Sequence, residues 1–143
     1  MTPAPLFRRR FLPYVLRFCN AMHEAGKCCA FHGDADLSGL LDEVIESGMD
    51  VVDCFACHPL VPLTLSRSQE RWGDRVVTWG GFPSTLLEAS TSEAEFEAFL
   101  DHFIERITSH PFIVGVSDNV MPGAQWPRLE TLARLVADAA PLS

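Results

Sequence analysis

The architecture of this chain can be inferred outward from one segment, Cys28-Cys29-Ala30-Phe31-His32-Gly33-Asp34-Ala35-Asp36. The segment begins as a short apolar run and ends with one imidazole and two carboxylates around a glycine. A buried-looking run that ends in reactive side chains recurs three times downstream, and helical patterns separate the runs. This repetition predicts four units in which strands and helices alternate.

The predicted strands and helices alternate along the whole chain. The strands are predicted at Cys28–His32, Met49–Cys54, Arg75–Trp79 and Phe112–Val116. The helices are predicted at residues 6–25 (either as one helix or broken near Pro13), from Asp36 to Gly48, at Leu63–Trp72, from Ser92 to Pro111, and at Pro127–Ala139, with a turn at Gly80–Pro83. No hairpin dipeptide joins two strands, so we expect right-handed crossovers and a parallel sheet covered by helices. Residues 1–143 are predicted to form a single α/β domain.

Composition and charge restrict the classes of function. The chain has 143 residues, 48% of them hydrophobic, and a net charge of −8 at pH 7. An acidic surface repels phosphate backbones, so nucleic acid is not an expected partner. No stretch approaches the roughly 18 apolar residues of a membrane-spanning helix, so no membrane is expected either. Five cysteines, an odd number, favour reduced thiols in a cytoplasmic protein.

Reactive residue types fall mostly where the predicted strands end. In parallel α/β folds the functional site collects at that edge of the sheet. The residues expected there are His32, Asp34, Asp36, Asp53, Cys54, Cys57, His58, Trp79, Gly80, Gly81, Ser117, Asp118 and Asn119. The opposite ends carry Lys27, Asp50, Asp74 and His110, which we interpret as ordinary solvated residues.

Each of these residues also has a structural interpretation. His32 is either a hydrogen-bonded structural histidine or, with Asp34, part of a site. Asp36 is predicted to cap the next helix. Cys28 and Cys29 are interpreted as core residues, and His23, His102 and His110 as surface residues of helices.

The segment Cys54-Phe55-Ala56-Cys57-His58 matches the pattern of covalent haem attachment and contains the Cys-x-x-Cys of redox and metal sites. Four interpretations remain open for it: haem attachment, a redox dithiol, a metal-ligand role and simple packing.

Several motifs, taken in order, resemble the second half of the uroporphyrinogen decarboxylase superfamily, which includes the corrinoid-dependent methyltransferases. The resemblance covers residues from about Leu6 to Val136. The motifs are Ala25-Gly26-Lys27, His32-Gly33-Asp34, Glu46-Ser47-Gly48-Met49-Asp50, Trp72-Gly73-Asp74-Arg75, Trp79-Gly80-Gly81-Phe82-Pro83, Ser92-Glu93-Ala94-Glu95 and Phe112-Ile113-Val114-Gly115-Val116-Ser117-Asp118.

The resemblance implies half of a TIM-type (β/α)₈ barrel, because members of this superfamily are complete barrels of roughly double this length. A parallel half-barrel leaves sheet edges and an apolar interior uncovered. We therefore expect oligomerisation to complete the barrel. The expected partner is the chain itself, as a homodimer or higher oligomer, or a separate N-terminal barrel half.

The resemblance also implies site residues. The methyltransferase branch resembles zinc enzymes with a His-x-Cys pair and a later cysteine. His32 keeps the first place, whereas Asp34 replaces the cysteine and Ser117 lies near the later one. A divalent metal such as zinc would then be held by His32, Asp34 and Cys54.

The remaining roles follow from the same comparison. The catalytic residues would be His32, Asp34 and Asp118, the last as a base or hydrogen-bond acceptor. The substrate-binding residues would be Asp53, Trp79, Gly80 and Asn119. A corrinoid would be supplied by a partner protein. Porphyrinogen decarboxylation by this chain alone is not expected, because the decarboxylase branch uses residues of the missing barrel half.

Three hypotheses about function follow. The first is methyl transfer between a methylated substrate or corrinoid and an acceptor. The second is a catalytically silent half-barrel that acts as a binding or assembly subunit. The third is a redox or haem protein that uses Cys54 and Cys57.

Overall fold

The computed structural model describes residues 2–139. In this part of the chain the helices are α1 (Ala4–Arg10), α2 (Leu12–Glu24), α3 (Leu41–Glu46), α4 (Leu65–Trp72), α5 (Glu93–Ser109) and α6 (Trp126–Ala139). The strands are β1 (Ala30–His32), β2 (Val51–Phe55), β3 (Val77–Pro83) and β4 (Phe112–Ser117). Short 3₁₀ turns lie at Gly73–Arg75 and Ser84–Leu87. Within these residues, no helix is both long enough and apolar enough to cross a bilayer.

The strands of the described residues form one four-stranded sheet in the order β1-β2-β3-β4, and every neighbouring pair is parallel. This confirms the predicted α/β class and the parallel sheet with helices between its strands. Because every neighbouring pair is parallel, the strands end together at one edge, the carboxyl edge. They begin together at the opposite edge, the amino edge.

Two predicted elements differ from those observed, whereas the alternative of a first helix broken near Pro13 is confirmed. The first helix is two helices that meet at Phe11. Pro13 lies in the first turn of α2, where a backbone N–H would have no hydrogen-bond partner within the helix. Asp36 does not cap a helix, because its carboxylate accepts the N–H and hydroxyl of Ser38 in a local turn and α3 begins only at Leu41. The predicted turn at Gly80–Pro83 continues β3, which pairs with β4 through Pro83.

The predicted capping box at the start of α5 is confirmed. The Ser92 hydroxyl accepts the N–H of Glu95, and the Glu95 carboxylate accepts the N–H of Ser92 at 2.9 Å. These bonds fix the start of the helix whose aromatic side chains cover β3. The ring centroid of Phe82 in β3 lies 6.3, 5.6 and 5.5 Å from the ring centroids of Phe96, Phe99 and Phe103 of this helix.

The hydrophobic core lies between the helices and one face of the sheet. It includes the fully buried side chains of Val52, Phe55, Trp72, Phe82 and Phe103. The indole N–H of Trp72 donates to the carbonyl of Leu41 at 3.1 Å, so the largest core side chain leaves no orphaned donor.

The other face of the sheet is much less covered by the described residues, and we call it the bare face. Strand pairing places these residues on it: Ala30, His32, Val51, Asp53, Val77, Trp79 and Ile113. Trp79 and Ile113 are paired neighbours and keep 44% and 45% of their surface exposed. This face corresponds to the interior in a (β/α) barrel, which is consistent with half of such a barrel.

The pairing register of β2 and β3 shifts just before Gly80, which pairs with Phe55. A Cβ on this residue would lie 2.8 Å from the backbone nitrogen of Phe55, and its φ of +113° is outside the range that side chains favour. Beside it, the Ser117 hydroxyl at the end of β4 donates to the Phe55 carbonyl of β2, across the strand between them. Gly80 therefore sets how closely the ends of the strands gather.

Candidate functional site at the carboxyl edge

His32 lies between two carboxylates at the carboxyl edge. Its Nδ1 is 3.2 Å from Asp53 Oδ2, and its Nε2 is 3.7 Å from Asp34 Oδ2. The first contact follows from the sheet register, because His32 and Asp53 are paired residues of β1 and β2 and share a face. A carboxylate on Nδ1 fixes the tautomer of the ring and leaves Nε2 directed towards Asp34. Such an arrangement can hold and move a proton.

Backbone hydrogen bonds hold the turn after His32 against the end of β2. The Gly33 N–H donates to the Asp53 carbonyl at 2.7 Å, and the Ala56 N–H donates to the Gly33 carbonyl at 3.2 Å. The chain therefore leaves β1 alongside β2, and Asp34 stays beside His32. The side chains of His32, Asp34 and Asp53 are 61%, 57% and 39% exposed, so a ligand reaches them directly from solvent.

Cys54 and Asp118 form a second contact at this edge. The Asp118 N–H donates to Cys54 Sγ at 3.1 Å, and the Asn119 amide donates to Asp118 Oδ1 at 2.9 Å. Both Cys54 (φ +55°) and Asp118 (φ +65°) adopt the left-handed conformation. Non-glycine residues held in this conformation cluster at ligand sites, because the strain is retained only where the surroundings impose it.

The proposed metal ligands at this edge do not fit one ion as they are placed. His32 directs a different ring nitrogen towards each carboxylate, and the Cys54 thiol accepts the backbone of Asp118. In residues 2–139, His32, Asp34 and Cys54 do not form a group whose ligand atoms all lie within 4.8 Å of one another. A tetrahedral zinc ion needs ligand atoms that converge on one point.

The two predicted substrate-binding residues of β3 have different surroundings. Trp79 lies on the bare face with its indole partly exposed, where an aromatic wall could contact a ligand. Gly80 is buried, and the space beside its Cα is filled by the backbone of Cys54 and Phe55. Its observed contacts are those of a packing position.

The Cys-x-x-Cys segment does not present two reactive thiols. Cys57 is buried, its thiol donates to the carbonyl of Gly81 at 3.2 Å, and burial raises the pKa of this thiol to about 12. A thiol is nucleophilic only as the thiolate, so this environment opposes dithiol chemistry. All five cysteines carry free thiols.

A compact group that the sequence analysis interpreted as structural or solvated residues lies at the amino edge. One ligand atom each from His23, Cys29 and Asp50 lies within 4.8 Å of the other two. His23 Nε2 is 2.8 Å from Asp50 Oδ2, and the Cys29 N–H donates to the same oxygen at 2.6 Å. The available signal was the position of Cys29 and Asp50, each the second residue of a predicted strand, with a histidine near the end of the first predicted helix.

The packing of α2 on the sheet brings this group together. Gly48 has φ +76°, and a Cβ there would lie 3.3 Å from the Cβ of Cys19 and 3.9 Å from Cε1 of His23. The absence of a side chain lets both helix residues approach the turn before β2. Burial, together with the nearby Cys29 thiol and the Asp50 carboxylate, raises the pKa of Cys19 to about 11.

No protein-family model and no curated protein matches this sequence.

Proposed function

We propose that this chain is one half of a uroporphyrinogen decarboxylase-like (β/α)₈ barrel and transfers a methyl group from a methylated corrinoid or substrate to an acceptor. The single observation that carries the proposal is the position of His32 between Asp53 and Asp34 at the open carboxyl edge. The motif resemblance supplies the reaction class, and the parallel sheet with its bare face supports the barrel half.

A second barrel half would cover the bare face and enclose the site. We propose that a second copy of the chain provides it, since Trp79 and Ile113 leave an apolar surface beside the polar strand ends. Closing this surface would also exclude water from the side of His32 that faces the barrel axis. A separate N-terminal barrel half is the alternative partner.

His32 would act as a general base in this reaction. With a thiol acceptor, the S–H proton moves to His32 Nε2, and the thiolate sulfur then attacks the methyl carbon. The bond between methyl and donor breaks, and its electron pair leaves with the donor. Asp53 would hold the imidazole at Nδ1 and stabilise the charged ring, while Asp34 accepts a hydrogen bond from Nε2 after proton transfer.

Other predicted site residues would bind rather than react. Asp118 and Asn119 form a hydrogen-bonded pair at the end of β4 and would accept and donate hydrogen bonds to a polar substrate group. Trp79 would form one wall of the closed site. The proposed chemistry runs through no metal at this edge, because the donor atoms of His32, Asp34 and Cys54 do not converge.

Methyl transfer from free methylcobalamin to 2-mercaptoethanol, followed by the change in corrinoid absorbance, tests this proposal. The purified chain should accelerate the reaction. His32→Asn should lower the rate by about a hundredfold or more, the usual share of general base catalysis. His102→Asn, on the exposed side of α5, is the matched control and should keep the rate. A His32→Asn variant as fast as the original chain would exclude the proposed base.

The second candidate is a catalytically silent half-barrel that serves as a binding or assembly subunit. It is favoured by Asp34 and Ser117, which stand where the resemblance implies cysteines, and by the exposed apolar pair on the bare face. Dimerisation without methyl transfer would support this candidate over the first.

Size-exclusion chromatography with light scattering tests the self-association that both candidates share. The mass should be at least twice that of one chain at micromolar concentration. Trp79→Ser should shift it towards the monomer, whereas Trp126→Ser, at an exposed tryptophan of α6, should not. A monomer at all concentrations would contradict pairing through the bare face.

The proposal places the protein in the cytoplasm, where free thiols persist, and a corrinoid protein is its expected partner. The net charge of −8 argues against nucleic acid as a partner, and we propose none. No membrane partner is proposed.

A further inference from the structure

We propose that His23, Cys29 and Asp50 bind a zinc ion at the amino edge of the sheet. This site lies at the opposite edge from the proposed methyl-transfer site and does not depend on it. It would link α2 to the residues at the starts of β1 and β2.

The geometry of the three ligand atoms supports the site. One ligand atom from each residue lies within 4.8 Å of the other two. Ligands of a tetrahedral zinc ion are separated by roughly 3.3–3.8 Å, as follows from bond lengths of about 2.0–2.3 Å. Small rotations of three side chains would therefore bring them to ligand distance, and the backbone would not need to move.

The chemistry of the donor set favours zinc over the hard cations. One thiolate, one imidazole and one carboxylate are the three ligand types that zinc takes in proteins, whereas calcium and magnesium take oxygen atoms. The Cys29 thiolate and the Asp50 carboxylate together carry two negative charges, which match the charge of Zn²⁺. The bound site would be neutral, and this lowers the cost of placing an ion beside the core.

The burial of the three residues gives the site a closed and an open side. The Cys29 side is buried, at 3% exposure, while the side chains of His23 and Asp50 are 40% and 35% exposed. An ion would therefore reach the thiol between His23 and Asp50, and a water molecule would fill the fourth position. The backbone also fixes two ligands relative to each other, because the Cys29 N–H donates to the Asp50 carboxylate and the Asp50 N–H donates to the Cys29 carbonyl.

Zinc binding would replace the contact between His23 and Asp50 with three bonds from the ion to His23, Cys29 and Asp50. In the metal-free protein, Nε2 of His23 faces Asp50 Oδ2. On binding, the ring proton would move through solvent to Nδ1, and the lone pair freed on Nε2 would bind zinc. The S–H bond of Cys29 breaks as the Zn–S bond forms, and its proton passes to the buffer. No oxidation or reduction takes place, and one proton is released for each ion bound.

Cobalt(II) substitution tests the site, because a thiolate bound to tetrahedral cobalt gives a charge-transfer band that carboxylate and water ligands do not. Apo protein titrated with Co²⁺ should bind one ion per chain with this band, and Zn²⁺ should displace it. Cys29→Ser should abolish the band. His23→Gln should keep the fold, since the residue is part-exposed on α2, and weaken zinc binding by about a hundredfold, at least the loss seen for outer-shell partners of metal sites.

Two matched controls separate this site from the rest of the chain. Cys28→Ser removes the exposed neighbouring thiol and should leave the band and the affinity unchanged. His32→Asn removes the imidazole of the carboxyl edge and should also leave them unchanged. Zinc should raise the melting temperature of the original chain and not that of His23→Gln. A band that persists in Cys29→Ser, loss of the band in either control, or a cobalt spectrum without charge transfer would overturn the proposal.

Discussion

The two edges of the sheet carry similar residue types, but these differ in exposure and in how their side chains are arranged. At the carboxyl edge, His32, Asp34 and Asp53 are exposed, and the imidazole divides its nitrogens between two carboxylates. At the amino edge, His23, Cys29 and Asp50 converge, and the thiol is buried. The first arrangement is suited to moving a proton to or from a ligand, and the second to holding a cation. Residue type alone therefore does not assign a function, whereas convergence of donor atoms does.

Among substitutions that distinguish the two edges, Gly80→Ala is expected to have the largest effect on the free energy of unfolding. The new Cβ would meet the Phe55 nitrogen at 2.8 Å, and φ would stay near +113° or the strand would shift. Strain and clash together should cost about 3 kcal/mol or more in the free energy of unfolding, measured by urea denaturation. The carboxyl edge should lose its ordered contacts first. Gly39→Ala, where no atom lies within 4 Å of the new Cβ, is the control, and an equal loss there would refute the packing role of Gly80.

Gly48→Ala makes the corresponding change at the amino edge and should have a smaller effect. Its φ of +76° is left-handed, and the nearest atom is a side-chain carbon of Cys19 at 3.3 Å rather than backbone. We expect a loss of about 1–2 kcal/mol in the same denaturation experiment, the usual cost of this conformation for a residue with a side chain. Zinc affinity should fall with it, because α2 is pushed away from Asp50. Unchanged zinc affinity would count against the role of this turn in assembling the ligands.

The pH dependence of stability sharpens the comparison further. Partial burial acts to raise the pKa of Asp50, but the hydrogen bonds from the Cys29 N–H and His23 outweigh it and lower the pKa below its ordinary value. A lowered pKa stabilises the fold above the unfolded-state value of about 4, and this contribution is lost as the pH falls through the lower folded-state value. Urea denaturation of the metal-free protein from pH 6 to pH 3 should show this loss.

Asp50→Asn isolates that contribution from the rest of the acid dependence. The variant should lose less stability than the original chain over the same pH range, because the amide does not titrate. His23→Gln should lie between the two, since it removes one of the two donors to the carboxylate. Parallel curves for all three proteins would show that Asp50 contributes no pH-dependent stability.

The smallest effect on stability is expected from His32→Asn at the carboxyl edge. The side chain is 61% exposed, and exposed ion pairs contribute little to folding. The change in unfolding free energy should stay within about 0.5 kcal/mol. Such a result, combined with loss of methyl transfer, would assign His32 to function. A loss as large as that of Gly48→Ala would assign it to structure.

Much of the fold could be predicted from the sequence because the alternation of apolar runs and helical patterns is repeated and regular. The capping box at Ser92 and the parallel order of the strands follow from local rules and are confirmed. Competition between local hydrogen bonds is harder to predict. Asp36 could cap a helix or bind Ser38 two residues on, and only the packed structure decides for the second.

The two sites differ in how well they could be predicted from the sequence. The pairing of His32 with Asp53 follows from strand ends that meet in a parallel sheet, so placing both at one edge needed only the strand predictions. The amino-edge group depends on how α2 lies on the sheet, which brings His23 over Asp50 across 27 residues of chain. The close approach of Cys19 to Gly48 is part of that packing, and no periodicity in the sequence encodes it.

The matching of strand order in space to strand order along the chain has a consequence for biosynthesis. Each described strand pairs through its backbone only with strands adjacent in sequence, so every unit can dock on its predecessor as it leaves the ribosome. No early segment must wait unpaired for a distant one. Among the described strands, each newly made strand leaves a free edge on which the next one can pair, and this favours vectorial folding along the chain.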